Sequence, residues 1–163
     1  MMNKSDFCHL HLHSEYSQLD GFGSASNYVE KCISNGQKYL ACTDHANIDG
    51  LIKFQKACDK SEKVKPILGC EAYLVKEWTK KAIRGHISIW IKNNTGFRNL
   101  CKMLTIANLQ GKYYKPRIDF ATLLKYHKGL VFGTACVQSF INIDGGKDFF
   151  EKLKEIKKDD LYL

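Results

Sequence analysis

Tyr39-Leu40-Ala41-Cys42-Thr43-Asp44-His45 is an apolar run that stops abruptly in threonine, aspartate and histidine. An apolar run this short, bounded by polar residues, predicts a buried strand over Tyr39 to Thr43 with its chemistry at the carboxyl end. Upstream, Ser24 to Asn35 predicts a helix with a serine cap and Gly36 as its stop, and Phe7 to His11 predicts a short strand. Downstream, Leu51, Ile52, Phe54, Gln55 and Cys58 recur at helical spacing within Ile48 to Lys60. Pro66 to Val75 and His86 to Lys92 are the next strand candidates. Phe97, Leu100, Cys101, Leu104 and Ala107 then mark one face of a long helix begun at Asn94 or Thr95. Past a turn at Gly111 to Arg117 come a short helix, Phe120 to Tyr126, and a strand, Leu130 to Ala135. Phe149, Leu153 and Ile156 define a last amphipathic helix, and Asp159 to Leu163 begins a further strand, as though the fold continued. Strands alternating with helices predict an α/β fold with a parallel sheet and helices outside. About five strand candidates are fewer than a closed eight-stranded barrel needs, so the expectation is an open doubly wound sheet or an incomplete barrel.

The composition agrees with one globular domain over 1–163. Of the 163 residues 44% are apolar, enough for a core and too many for a disordered segment. No apolar run reaches the length of a membrane helix and no signal peptide opens the chain, so the expected location is the cytoplasm, with no membrane partner. The seven cysteines are odd in number and contain no Cys-x-x-Cys pair, which argues against a disulfide framework. Lysine and arginine total 25 against 17 acidic residues, and only Arg84, Arg98 and Arg117 are arginine. A net charge of +8 suits a polyanionic partner, although the lysines are scattered and also describe a solvated surface.

Three histidines stand at spacing two, His9, His11 and His13, so a strand would present all three on one face. Aligned imidazoles are hard to bury without partners, and a metal site satisfies them. Thr43-Asp44-His45 falls at the carboxyl edge of its strand, where parallel sheets bind ligands. His45 is a candidate ligand there, with Asp44 orienting a ring or holding a water behind it. Glu71 lies in the apolar stretch Ile67 to Val75, where a carboxylate is costly unless paired or bound to a cation. Asp20, followed by Gly21, reads first as a turn aspartate. Cys136 follows the Leu130 to Ala135 strand, at the right edge for a thiolate ligand. His86 opens its strand, which in a parallel sheet puts it at the opposite edge, and His127 is expected in an exposed loop. Lys112, Tyr113, Tyr114, Lys115 and Arg117 interleave rings and cations as single-strand binders do, or anchor a loop by two rings.

Taken in order, His9 to Ser17 with Leu19-Asp20-Gly21, Leu40 to His45, Lys65 to Glu71, Thr95 to Leu100 and Tyr113 to Arg117 resemble the polymerase and histidinol phosphatase superfamily of metal-dependent phosphoesterases. Gly129 to Cys136 resembles its fifth-strand region. Within the superfamily, the likeness is to the N-terminal domain of bacterial DNA polymerase III alpha subunits. The resemblance implies a distorted, seven-stranded, TIM-like β/α barrel holding up to three divalent ions, whether zinc, manganese or magnesium. It implies that His11 and His13 bind one ion, that Glu71 bridges it to a second completed by His86 and Cys136, and that Asp20 and His45 help hold a third. His9 and Asp44 then stand behind the ligands, and Glu71 and Asp44 are the candidate catalytic carboxylates. The family's last ligands, an aspartate and a histidine on a late strand, are expected beyond Leu163, so the domain is expected to be incomplete at its C-terminal end. Cys136-Val137-Gln138-Ser139 also lacks the glycines that usually follow that cysteine.

The activity implied is metal-dependent phosphoester hydrolysis, in the form of 3′-terminal nucleotide removal during proofreading, with DNA and the rest of the polymerase as partners. Two alternatives use the same residues. One is a non-catalytic, metal-stabilised module that docks a proofreading exonuclease subunit; the other is a free-standing phosphatase for a small phosphoester.

Overall fold

A computed structural model describes residues 7–163, which divide into two compact units, 7–70 and 71–163. In the first unit, α1 (Ala25–Ser34) begins where the Ser24 hydroxyl accepts from the Asn27 amide, and it ends before Gly36, whose φ of 71° suits glycine. β1 (Tyr39–Cys42) is followed by α2 (Leu51–Ser61), which buries Leu51, Phe54 and Cys58. β1 runs parallel to the first half of β2 (Lys65–Val75), in register from Tyr39 with Lys65 to Cys42 with Leu68.

In the second unit β2 continues and pairs in parallel with β4 (Arg117–Asp119), a strand of three residues that begins at the last residue of the expected turn. β3 (Gly85–Ile91) is nearly wholly buried. α3 (Asn94–Leu109) is capped by Asn93 and buries Gly96, Leu100, Met103, Leu104 and Ala107. The inward face therefore includes Gly96 and leaves Phe97 exposed. A Cβ on Gly96 would stand 1.8 Å from the Gly129 carbonyl oxygen, so the helix approaches that turn more closely than any side chain permits. α4 (Phe120–Tyr126) leads to β5 (Leu130–Gly133), and α5 (Gly146–Lys157) packs Phe149 flat against Phe120, ring centroids 3.9 Å apart. Ile156, expected on the inner face, is exposed. β6 (Leu161–Tyr162) forms where a further strand was expected, parallel to β5.

The sheet is mixed. β3 runs antiparallel to β5, from Ser88 opposite Gly133 to Ile91 opposite Leu130, against the expectation of parallel strands throughout. The link from β2 to β3, residues 76–84, contains no helix and is shorter than the dozen or more residues a parallel crossover requires. The result is an α/β fold with a partly parallel sheet whose pairings among the described residues do not close into a ring, as in a partial β/α barrel. No helix among the described residues is long and apolar enough to cross a membrane.

Phe7 to His11 is not a strand. It meets β1 through an isolated parallel bridge from His9 to Leu40. Ala41 donates to the His9 carbonyl and Thr43 to the Leu12 carbonyl, so a step of two residues from β1 is matched by a step of three in this segment. One residue too many breaks the pleat, as a bulge does, and the alternation that put three histidines on one face is lost.

Candidate functional site

The first unit gathers four of the expected ligands. His11 and His13 face each other through their Nε2 atoms at 3.0 Å, and the His13 and His45 rings stack at 4.1 Å. Asp20 reaches back to them, its Oδ2 lying 3.1 Å from His45 Nε2 and 3.8 Å from His13 Nε2. The loop that returns Asp20 is closed by the Asp20 and Gly21 amides, both donating to the Ser17 carbonyl. Gly21 is required there because a Cβ would lie 1.7 Å from the Ser14 carbonyl oxygen. The turn reading of Asp20 and the ligand reading thus describe one feature. His9 stands apart, its ring edge-on to Phe7 at 4.7 Å.

Asp44 holds this arrangement from beneath. Its side chain is buried, and its Oδ1 accepts from the Ser14 amide and the Ser17 hydroxyl, both at 2.7 Å. Its Oδ2 accepts from the Ser14 hydroxyl at 2.7 Å and faces the Cys42 thiol at 3.3 Å. Burial, and then the adjacent carboxylate, push the Cys42 thiol far above its usual range, so it stays protonated. Ser17 also accepts from the His45 amide and lies 3.1 Å from His13 Nδ1. Sequence pattern alone assigns Ser14 and Ser17 no role of their own.

The second unit gathers the other three. Glu71, 1% exposed, directs Oε1 to His86 Nδ1 at 3.0 Å, and Cys136 Sγ lies 3.4 Å from the same nitrogen. Strand direction explains why His86 takes part although it opens its strand. Because β3 is antiparallel to β5, its first residues lie beside the end of β5, where Cys136 follows, and His86 bridges to Ser139. The expectation that His86 sits at the opposite edge fails for this reason. Burial raises the Cys136 thiol pKa above its ordinary value.

Both donor groups suit a divalent cation. Two ligands each about 2.1 Å from one ion stand roughly 3 Å apart when adjacent, the spacing of the His11–His13 and Glu71–His86 pairs. His13, Asp20 and His45 each offer an atom within 4.8 Å of the others'. Imidazole, carboxylate and thiol donors together favour a borderline transition metal over a purely oxygen-seeking ion.

The basic loop has a divided character. Arg117 is buried and spends its guanidinium on the Gly111 and Thr79 carbonyls, beneath the Tyr113 ring. It fastens the loop. Lys112, Tyr114 and Lys115 are exposed, Tyr114 at 84%, edge-on to Tyr113. His127 is not exposed either. It caps α4, its carbonyl accepts from Lys157 Nζ at 3.1 Å, and its buried Nδ1 has no hydrogen-bond partner among the described residues.

The PHP domain family matches residues 9–161. The chain belongs to that family. Curated relatives of this PHP chain include the DNA polymerase III subunit alpha of Borreliella burgdorferi, 40% identical over 148 residues, covering 86% of this chain and 13% of the relative. The same subunit from Aquifex aeolicus is 37% identical over 177 residues, covering 97% of this chain and 15% of the relative. The PHP chain therefore spans about one-seventh of these subunits or less. Among solved structures, a protein proposed to be a metal-dependent phosphoesterase from Bifidobacterium adolescentis aligns with TM-score 0.49 and 19% identity, covering 61% of this chain and 32% of that one.

Proposed function

We propose that the chain is a metal-binding phosphoesterase module, part of a single PHP domain, of a bacterial replicative polymerase alpha subunit. His11, His13, Asp20 and His45 form one ligand group and Glu71, His86 and Cys136 the other. What supports this reading above all is that imidazole and carboxylate donors, dispersed in sequence, stand at ligand-to-ligand spacing in each unit, joined in the second by a thiol. When bound, divalent ions supply an acidified water and neutralise phosphate oxygens. The chain's own residues do the rest: Asp44 and Ser17 hold the loop that carries His13 and Asp20, and Lys112, Tyr114 and Lys115 offer charge and a stacking face to a single strand. The reaction is hydrolysis of a phosphodiester at a DNA 3′ end, releasing a nucleotide.

The test is hydrolysis of a 3′-labelled single-stranded oligonucleotide by the metal-loaded chain, with and without chelator, alongside Glu71→Ala. Chelator-sensitive release of the label, lost in Glu71→Ala, is expected. Release that is indifferent to both chelator and substitution contradicts the proposal. Metal binding without hydrolysis favours a metal-stabilised docking module within the polymerase.

A further inference from the structure

The hydrogen bonds around Ser17 admit only one arrangement of protons. A hydroxyl has one hydrogen and two acceptor lone pairs, and Ser17 Oγ has three neighbours: Asp44 Oδ1 at 2.7 Å, the His45 backbone nitrogen at 3.0 Å and His13 Nδ1 at 3.1 Å. The His45 amide only donates, and the Asp44 carboxylate only accepts. Asp44 Oδ1 takes the Ser17 hydrogen while the Ser14 amide, also at 2.7 Å, supplies its second bond. Both remaining lone pairs of Ser17 must then accept, one from the His45 amide and the other from a hydrogen on His13 Nδ1.

From this geometry we infer that Ser17, itself oriented by Asp44, is a positioning residue that fixes His13 as the Nδ1–H tautomer. The tautomer of a histidine is set by the hydrogen bond its far nitrogen makes, and a ligating histidine needs its lone pair on the nitrogen facing the ion. With the proton held on Nδ1, the Nε2 lone pair faces His11 Nε2 at 3.0 Å and Asp20. His13 Nε2 accepts from His11 in the metal-free chain and is ready to ligate without moving its own proton. Ser17 and Asp44 are each about 1% exposed, so water does not compete for these bonds. Geometry near this site is thereby tied to β1, because Asp44 stands two residues past the end of that strand. The usefulness of the lock to a metal rests on the function proposed above; the tautomer itself does not.

The experiment is two-bond proton–nitrogen correlation NMR of the metal-free, ¹⁵N-histidine-labelled 163-residue chain, with zinc titrations of the same samples by calorimetry. Wild-type His13 is expected to carry its proton on Nδ1. Ser17→Ala is expected to populate the Nε2–H form and to weaken zinc binding about ten- to a hundredfold, with Ser17→Thr recovering both. A wild-type His13 protonated on Nε2 overturns the inference whatever the variants do, and no variant need fold for that result. His13 signals unchanged in Ser17→Ala overturn it as well. If the wild type shows the Nδ1–H form but binds no zinc, the lock stands and the proposed metal function fails.

Discussion

The two groups of donors are built by different means. In the first unit, His11, His13, Asp20 and His45 sit on loops, and their positions come from side chains: a buried aspartate collecting two serines, a turn that only glycine can make, and a serine holding a ring. In the second, Glu71, His86 and Cys136 lie on or beside strands, and backbone pairing sets their positions before any side chain contributes. A loop-borne group depends on residues that are not themselves ligands, whereas a strand-borne group depends mainly on its own members. Substitutions should separate these two dependencies.

Asp44→Ala is expected to have the largest effect. It leaves the Ser14 amide and the hydroxyls of Ser14 and Ser17 without their acceptor, at about 1–3 kcal/mol for each buried group. The expected outcome is loss of several kcal/mol in urea unfolding, together with weakened metal binding. Glu71→Ala should weaken metal binding by more than the roughly 10–100-fold typical of supporting residues, with a smaller change in the unfolding midpoint. Equal losses of stability in the two variants would erase the distinction. Gly21→Ala places a Cβ against the Ser14 carbonyl, and about 1–3 kcal/mol of destabilisation is expected, with Asp20 displaced from His45 in the variant's crystal structure. Cys136→Ser sharpens the second group: calorimetry should show zinc affinity falling more than manganese affinity, because a soft ligand has been replaced by a hard one.

The smallest effect concerns His127, a member of neither group. Burial, and then the nearby Lys157 and Lys128 charges, hold its pKa below the usual imidazole value of about 6.5. As pH falls below that value the unfolded chain takes up this proton first, so the stability His127 contributes declines toward the lower folded pKa. His127→Asn should therefore show a shallower loss of urea midpoint between pH 7.5 and 5.5 than the wild type. An identical slope would remove His127 as a contributor.

Much of this was legible in the sequence. The helix cap at Ser24, the stop at Gly36, and the apolar run ending in Thr43-Asp44-His45 are local signals, and local signals survive folding. Direction and register are not local. Nothing within His86 to Lys92 says that the strand runs against β5; the helix-free link before it does, through its length. The period-two histidines misled because one extra residue opposite β1 separates His9 from His11 and His13. Lys112 to Arg117 reads either as a single-strand binder or as an anchored loop, and the burial of Arg117 in β4, against the Tyr113 ring, assigns that residue to the loop anchor. The supporting serines were hidden because a serine four residues past a histidine is unremarkable until a buried aspartate claims its only proton.

Zinc titration of the metal-free chain by calorimetry, with His13→Ala and Glu71→Ala in parallel, tests the central claim most directly. The account predicts that the wild type binds at least one ion and that each substitution, one in each unit, weakens binding by well over about tenfold. A wild type that binds none, or variants that bind zinc as the wild type does, would contradict it.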